Sequence, residues 1–319
     1  MKPLVLTSTA QARRVKAVLD ATRASCDVGA RRERDPVGLV RPFTHRDDRE
    51  LVGLLASSLA FGNVTIILAK VREVLSVLGP SPRETASRLP RLQRGLQGFV
   101  HRLFRGEDVA RLLYGARRCQ LRFGSLEALF LAGLEGGVDR AGPDEAREAL
   151  ARLVDHLRDE GGLPRTSPDG RRGPAHLLPD VRAGAGAKRL HLFLRWMVRP
   201  EDGVDLGVWS GVPRRLLACP VDTHILKLGR NLGLTARKDA SDRTVREITA
   251  SLARFDPEDP TKYDFSLCHL GMETRCRERF VRSVCGECPA RGACRHVPRA
   301  DSRDPHRQSM DFEAKTVRG

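Results

Sequence analysis

Apolar residues recur three and four positions apart along most of this chain, and no segment alternates convincingly with a period of two. Such a pattern lets helices pack on helices and little else, so an all-α fold is expected. A basic amphipathic helix is predicted over residues 9–25, with Val15, Ala17, Val18, Leu19 and Ala21 as its apolar content. Arg31, Arg32 and Arg34 follow in a loop. Thr44 is a candidate cap for the next helix, with Asp47 and Asp48 in the first turn, where the helix dipole favours acids. The segment RELVGLLASSLAFG is apolar nearly all round and reads as a central core helix, closed by Gly62, while Asn63 caps its successor. Shorter helices are predicted at 82–89, 107–119 and 125–133, and a longer one at 143–159. Residues 160–186 are rich in Gly, Pro and charge and read as a loop. Helices resume at the apolar run Leu190–Val198, at 241–254 and at 259–270, with Ser241 or Asp242 and Asp259 as candidate caps. The polar, unpatterned stretch 297–319 is expected to be disordered.

Charge narrows the partners. Lys and Arg number 56 against 40 Asp and Glu, a formal net charge of +16. An excess of this size favours a polyanion, because neutralising phosphates releases counterions. Aromatic residues make up only 5% of the chain, too few for a broad stacking platform, so any base-handling site must be a pocket. No run of eighteen apolar residues suggests a membrane span. The opening MKPLVLTSTAQARR lacks the apolar core of a secretory signal, so a cytoplasmic location is expected.

Four of the eight cysteines crowd into nineteen residues as C-x8-C-x2-C-x5-C: Cys276, Cys285, Cys288 and Cys294. In a cytosolic chain such a quartet points to a soft metal rather than to disulfides. Tetrahedral zinc and a cubane iron–sulfur cluster both take four cysteinates. Zinc sites usually use two short knuckles. The single knuckle here, with longer arms, leans towards [4Fe–4S], with zinc as the alternative. Arg275, Arg277, Arg279 and Arg282 lie at or within the first interval, so a metal-pinned loop would present guanidinium groups to phosphate.

Cys285-x2-Cys288-x5-Cys294 with a fourth cysteine upstream resembles the iron–sulfur loop of endonuclease III-like, helix-hairpin-helix DNA glycosylases. Pro220-Val221-Asp222-Thr223-His224-Ile225 is similar to the motif that carries their catalytic aspartate, and it precedes the cysteines in the same order. The likeness runs over residues 45–296 in helix order. KRLHLFLRWMVR and DPTKYDFSL look like a bacterial branch of the superfamily rather than endonuclease III itself. The usual hairpin signature is replaced by Leu178-Pro179-Asp180-Val181 and AGAGAKRL, in which Gly184 and Gly186 can still turn a backbone around a phosphate. Thirty-four positions separate Lys188 from Asp222, and the first cysteine interval, at eight, is longer than in endonuclease III.

The resemblance implies a two-lobed protein. A helical barrel at 46–200 faces a cluster lobe at 201–296 that also gathers residues 1–45, and 297–319 form a tail. It implies a monomeric DNA repair glycosylase with possible lyase chemistry on double-stranded DNA: Lys188 attacks C1′ of the sugar and ionised Asp222 steadies the positive charge that develops. A helix start, an apolar setting and neighbouring Arg189 all disfavour an ammonium at Lys188. His224 and Arg189 are candidate DNA contacts, while Trp196 and Trp209 read as core. The rival is a catalytically silent iron–sulfur protein that grips nucleic acid with the same surface.

Overall fold

The computed structural model describes residues 8–167, 169–274 and 276–298. Among them are fifteen α-helices and a single two-stranded hairpin, so the fold is predominantly helical, as the periodicity predicts. No helix among the described residues is long and apolar enough to cross a membrane. Residues 299–319, most of the expected tail, lie outside the described residues, as does Arg275.

Two hydrophobic cores organise the chain. The first extends from Val37 to Leu217 and also takes in Phe265. Its centre is the helix Arg46–Leu59, buried at eleven positions and packed against Lys188–Val198. Gly53 allows that approach, since a Cβ there would lie 2.6 Å from Met197 Cε. The long helices Gly106–Phe123 and Pro143–Gly161 meet through Gly115 and Gly161, and a Cβ on Gly115 would fall 2.3 Å from the Leu157 carbonyl. Buried Glu50 accepts hydrogen bonds from Gln120 Nε2 at 2.8 Å, Leu126 N at 3.0 Å and Trp209 Nε1 at 2.8 Å. It thereby ties three elements to the central helix, and both tryptophans are buried, as expected.

The second core joins Val15, Val18 and Leu19 of the N-terminal helix Thr9–Ala24 to residues between Cys219 and Ala293. Tyr263 Oη donates to Asp20 at 2.6 Å across that junction. The N-terminal segment is therefore divided, because Val37 and Val40 belong to the first core.

Several sequence expectations need correction. The central helix begins at Arg46 behind His45, not Thr44, and ends at Leu59. Asn63 caps Val64–Leu78 as predicted, accepting from Thr65 N at 2.9 Å. Only Pro82–Ala86 is helical where 82–89 was expected, and a separate helix, Leu89–Gly95, follows. The antiparallel hairpin Val100–His101 with Phe104–Arg105 is too short for alternation to reveal. Within the expected 160–186 loop lies a one-turn helix, Gly173–Leu177, held by buried Arg158, which donates to the carbonyls of Pro164 at 3.0 Å and Pro174 at 3.2 Å. The last long helix starts at Asp264, not Asp259, because Asp259 is a buried partner of Arg199 at 3.0 Å.

That exchange belongs to a larger buried network. Arg195, on the helix Lys188–Val198, pairs with Asp205 at 3.1 Å and with Asp264. Arg199 pairs with Asp202 at 2.9 Å and also with Asp205. A fully buried guanidinium is tolerated only when carboxylates compensate its lost hydration. The Arg195–Asp264 pair therefore fixes Asp264–Thr274 against the helix that begins with Lys188.

Candidate active site and cysteine pocket

Lys188 is the first residue of its helix. It is entered through Ala187 in the left-handed region (φ 42°) and through a tight turn built for small residues. Gly184 has φ 88°, and its carbonyl accepts from Asp242 N at 3.0 Å. Gly186 abuts backbone, since a Cβ there would sit 2.0 Å from the Ala240 carbonyl. These glycines serve a turn docked on the start of Asp242–Ala253, with Ala185 bridged to Ser241. Half-buried Lys188 donates through Nζ to the Ala60 carbonyl at 3.3 Å.

Asp222 is the N-cap of Thr223–Leu232, as its position in the sequence suggests. One carboxylate oxygen accepts from His224 N and Ile225 N, both at 2.8 Å. The other accepts from the Cys268 thiol at 3.2 Å. Among the described residues no ion pair joins Lys188 to Asp222. The charges of both are felt by Asp264 and Cys268. Burial raises the Asp264 carboxyl to about 6; Arg195 and Lys188 pull it down, while Asp222 pushes it up. Burial likewise drives the Cys268 thiol well up, reinforced by Asp222 and Asp264 and opposed by Lys188, so it stays a protonated donor. The amine and the carboxylate thus act on the same pair of side chains. His269, pushed down to about 4 chiefly by burial, is neutral, and its ring lies 4.4 Å from that of Phe265 at a tilt of 56°.

Asp264, Cys268 and His269 were not anticipated as site residues. The available signal was their spacing: Asp264 and Cys268 are four apart, on one face of a helix. Arg189, expected to contact DNA, is buried instead. It is 7% exposed, donates to Ser58 O at 3.0 Å and to the His176 carbonyl, and lies 4.8 Å from the Phe61 ring centre. Burial lowers it to about 10. An arginine in the first turn of an apolar helix has been recruited into the core. His224 is half-buried, with its Cβ against Gly271, where an added Cβ would come within 2.8 Å.

The four cysteines line one pocket with Leu228, Asn231 and His296. None is in a disulfide. Asn231 Nδ2 donates to Cys276 Sγ at 3.0 Å and Val281 N to Cys285 Sγ at 3.4 Å. Four thiols on one hollow with N–H groups aimed at two sulfurs suit a soft metal centre. No three His, Cys, Asp or Glu donors among the described residues converge on the position of a single ion. Arg277, Arg279 and Arg282 are exposed on the adjoining loop, while Glu278 is held by Arg230.

No curated protein matches the chain. A family model described as a protein of unknown function (DUF2400) matches residues 35–273, which takes in Lys188, Asp222, Asp264 and Cys268 and stops short of the cysteine quartet. With about three-quarters of its 319 residues inside that match, the chain belongs to the DUF2400 family.

Proposed function

We propose that the protein is a DNA glycosylase with abasic-site lyase chemistry, built as two lobes around a cleft. The observation that carries this reading is that Asp222 accepts from the Cys268 thiol at 3.2 Å, on the same helix whose Asp264 is paired with Arg195 of the helix that begins with Lys188. The Lys188 amine, having given up a proton, adds to C1′ of the deoxyribose. The C1′–N bond breaks, its electron pair leaves with the base, and the base takes up a proton. Loss of the amine proton and ring opening yield a Schiff base, and removal of a C2′ proton then expels the 3′ phosphate. Asp222, immobilised by its three donors, faces the positive charge that develops on the sugar.

The net charge of +16 supports binding to double-stranded DNA, from which the target nucleotide is flipped. Exposed Arg277, Arg279 and Arg282 grip backbone phosphate, and the turn at Gly184 and Gly186 lies along the strand. Cys276, Cys285, Cys288 and Cys294 would hold a [4Fe–4S] cluster that pins the arginine loop.

Borohydride reduction in the presence of an abasic-site duplex tests the proposal. A covalent protein–DNA adduct is expected from the wild type and none from Lys188→Ala. Duplex binding without any adduct would leave a binding module in place of an enzyme.

A further inference from the structure

Asn231 lines the cysteine hollow near the end of Thr223–Leu232, the helix that Asp222 caps, and is only 2% exposed. Its neighbours on that helix, Leu228 and Leu232, are apolar core residues. Its Nδ2 donates to Cys276 Sγ at 3.0 Å, while its Oδ1 is buried with no hydrogen-bond partner among the described residues. An unpaired buried carbonyl costs stability that a leucine of similar size would not. Packing alone therefore gives no reason for an amide here, whereas an N–H on sulfur does. A thiolate offers only lone pairs, so of the amide's two orientations it accepts the one observed. The main chain holds the amide in place: Asn231 O accepts from Arg295 N at 2.9 Å and Arg230 O from Arg295 Nη1 at 3.4 Å, while the Arg230 side chain pairs with Glu278. Both ends of the cysteine loop are thus fastened to this end of the helix.

We propose that Asn231 sets the electron affinity of the iron–sulfur centre by donating its N–H to the Cys276 thiolate. Whichever one-electron couple operates, the reduced form carries one more negative charge, part of it on the ligand sulfurs. A donor aimed at one sulfur stabilises that form more than the oxidised one and raises the reduction potential. Burial strengthens the effect, because the local dielectric is low. Val281 N, which donates to Cys285 Sγ at 3.4 Å, is backbone and survives any side-chain change, so Asn231 is the donor that a substitution can remove. Asn231 is a positioning residue that acts through Cys276. The inference rests on the iron–sulfur part of the proposed function and is independent of the chemistry at Lys188.

The test is voltammetry of the full-length, metal-loaded protein prepared without oxygen. Wild type is expected to give a reversible one-electron wave. Asn231→Leu should lower its midpoint by about 59 mV, a tenfold change in the one-electron equilibrium, with iron content unchanged. Asn231→Asp keeps the size but replaces the donor by an acceptor, and should lower the midpoint at least as far. If neither variant keeps its iron, wild type labelled with ¹⁵N-asparagine decides. Pulsed electron paramagnetic resonance of its paramagnetic state should then show a coupled asparagine nitrogen. Asn63, the chain's other asparagine, caps Val64–Leu78, a helix of the first core, so that coupling reports Asn231. An unmoved midpoint in iron-replete variants, or no coupled nitrogen, overturns the role of Asn231 and leaves the cluster standing. A colourless, zinc-bearing wild type with no wave overturns both, while a borohydride adduct on Lys188 would still uphold the lyase.

Discussion

Arginine does opposite work in the interior and on the cysteine loop. Arg195 and Arg199 are buried between the two cores, each surrounded by carboxylates, and they set the position of one helix against another. Arg277 and Arg279 are exposed on a short irregular segment, and Arg282 is exposed at the start of the one-turn helix Arg282–Cys285. One group of cations is committed to the fold and the other is available to a ligand. Substitutions should separate the two sharply.

The largest effect is expected in the interior. Arg195→Met removes a buried cation, strands Asp264 and leaves Asp205 with Arg199 alone, and should cost about 3–5 kcal/mol in denaturant unfolding. A loss below about 1 kcal/mol would mean that the network does not hold the two cores in register. Acid should expose a second interior feature. Burial holds His191 down at about 4, with Asp242 opposing, against its ordinary value of 6.5. Between those values the unfolded chain binds a proton that the native state refuses, so this contribution to stability is present above pH 6.5 and is lost as pH falls towards 4. Asp264, raised to about 6, works the other way, since the native state takes its proton first. His191→Gln should accordingly flatten the fall in unfolding free energy between pH 6.5 and 4.5, by about 2 kcal/mol.

On the loop the effects shrink and change character. Cys288→Ser should abolish broad visible absorbance in an anaerobic preparation and speed amide exchange in residues 276–298, leaving exchange in the helix Arg46–Leu59 as slow as before. A colourless wild type that contains zinc would replace the cluster by its alternative. Arg279→Ala and Arg282→Ala should each alter stability by no more than about 0.5 kcal/mol. Each should weaken duplex binding without regard to sequence and reduce the salt slope by about one. An unchanged slope would remove the loop from the DNA interface.

The same contrast explains what could be read from the sequence. Helical period exposed the central helix, and an acid before Thr-His identified Asp222 as a cap, because both signals are local. Cysteine spacing gave the quartet for the same reason. Partners distant in the chain were not legible. Arg189 looked like a surface cation because the first turn of a helix is usually solvated, yet here it is enclosed by Phe61, Phe104 and two carbonyls. Asp259 looked like a cap, but Arg199, sixty residues earlier, claims it. Asp264 and Cys268 became site residues only because Arg195 fixes their helix beside Asp222.

Tandem mass spectrometry of the borohydride-reduced protein–DNA adduct, which identifies the residue that carries the sugar, most directly tests whether the Lys188 amine and the Asp222 carboxylate serve one reaction. A sugar remnant on Lys188, with adduct yield falling at least tenfold in Asp222→Asn while duplex affinity holds, is the expected result. A remnant on another lysine or on the N-terminal amine, or a yield indifferent to Asp222, would contradict it.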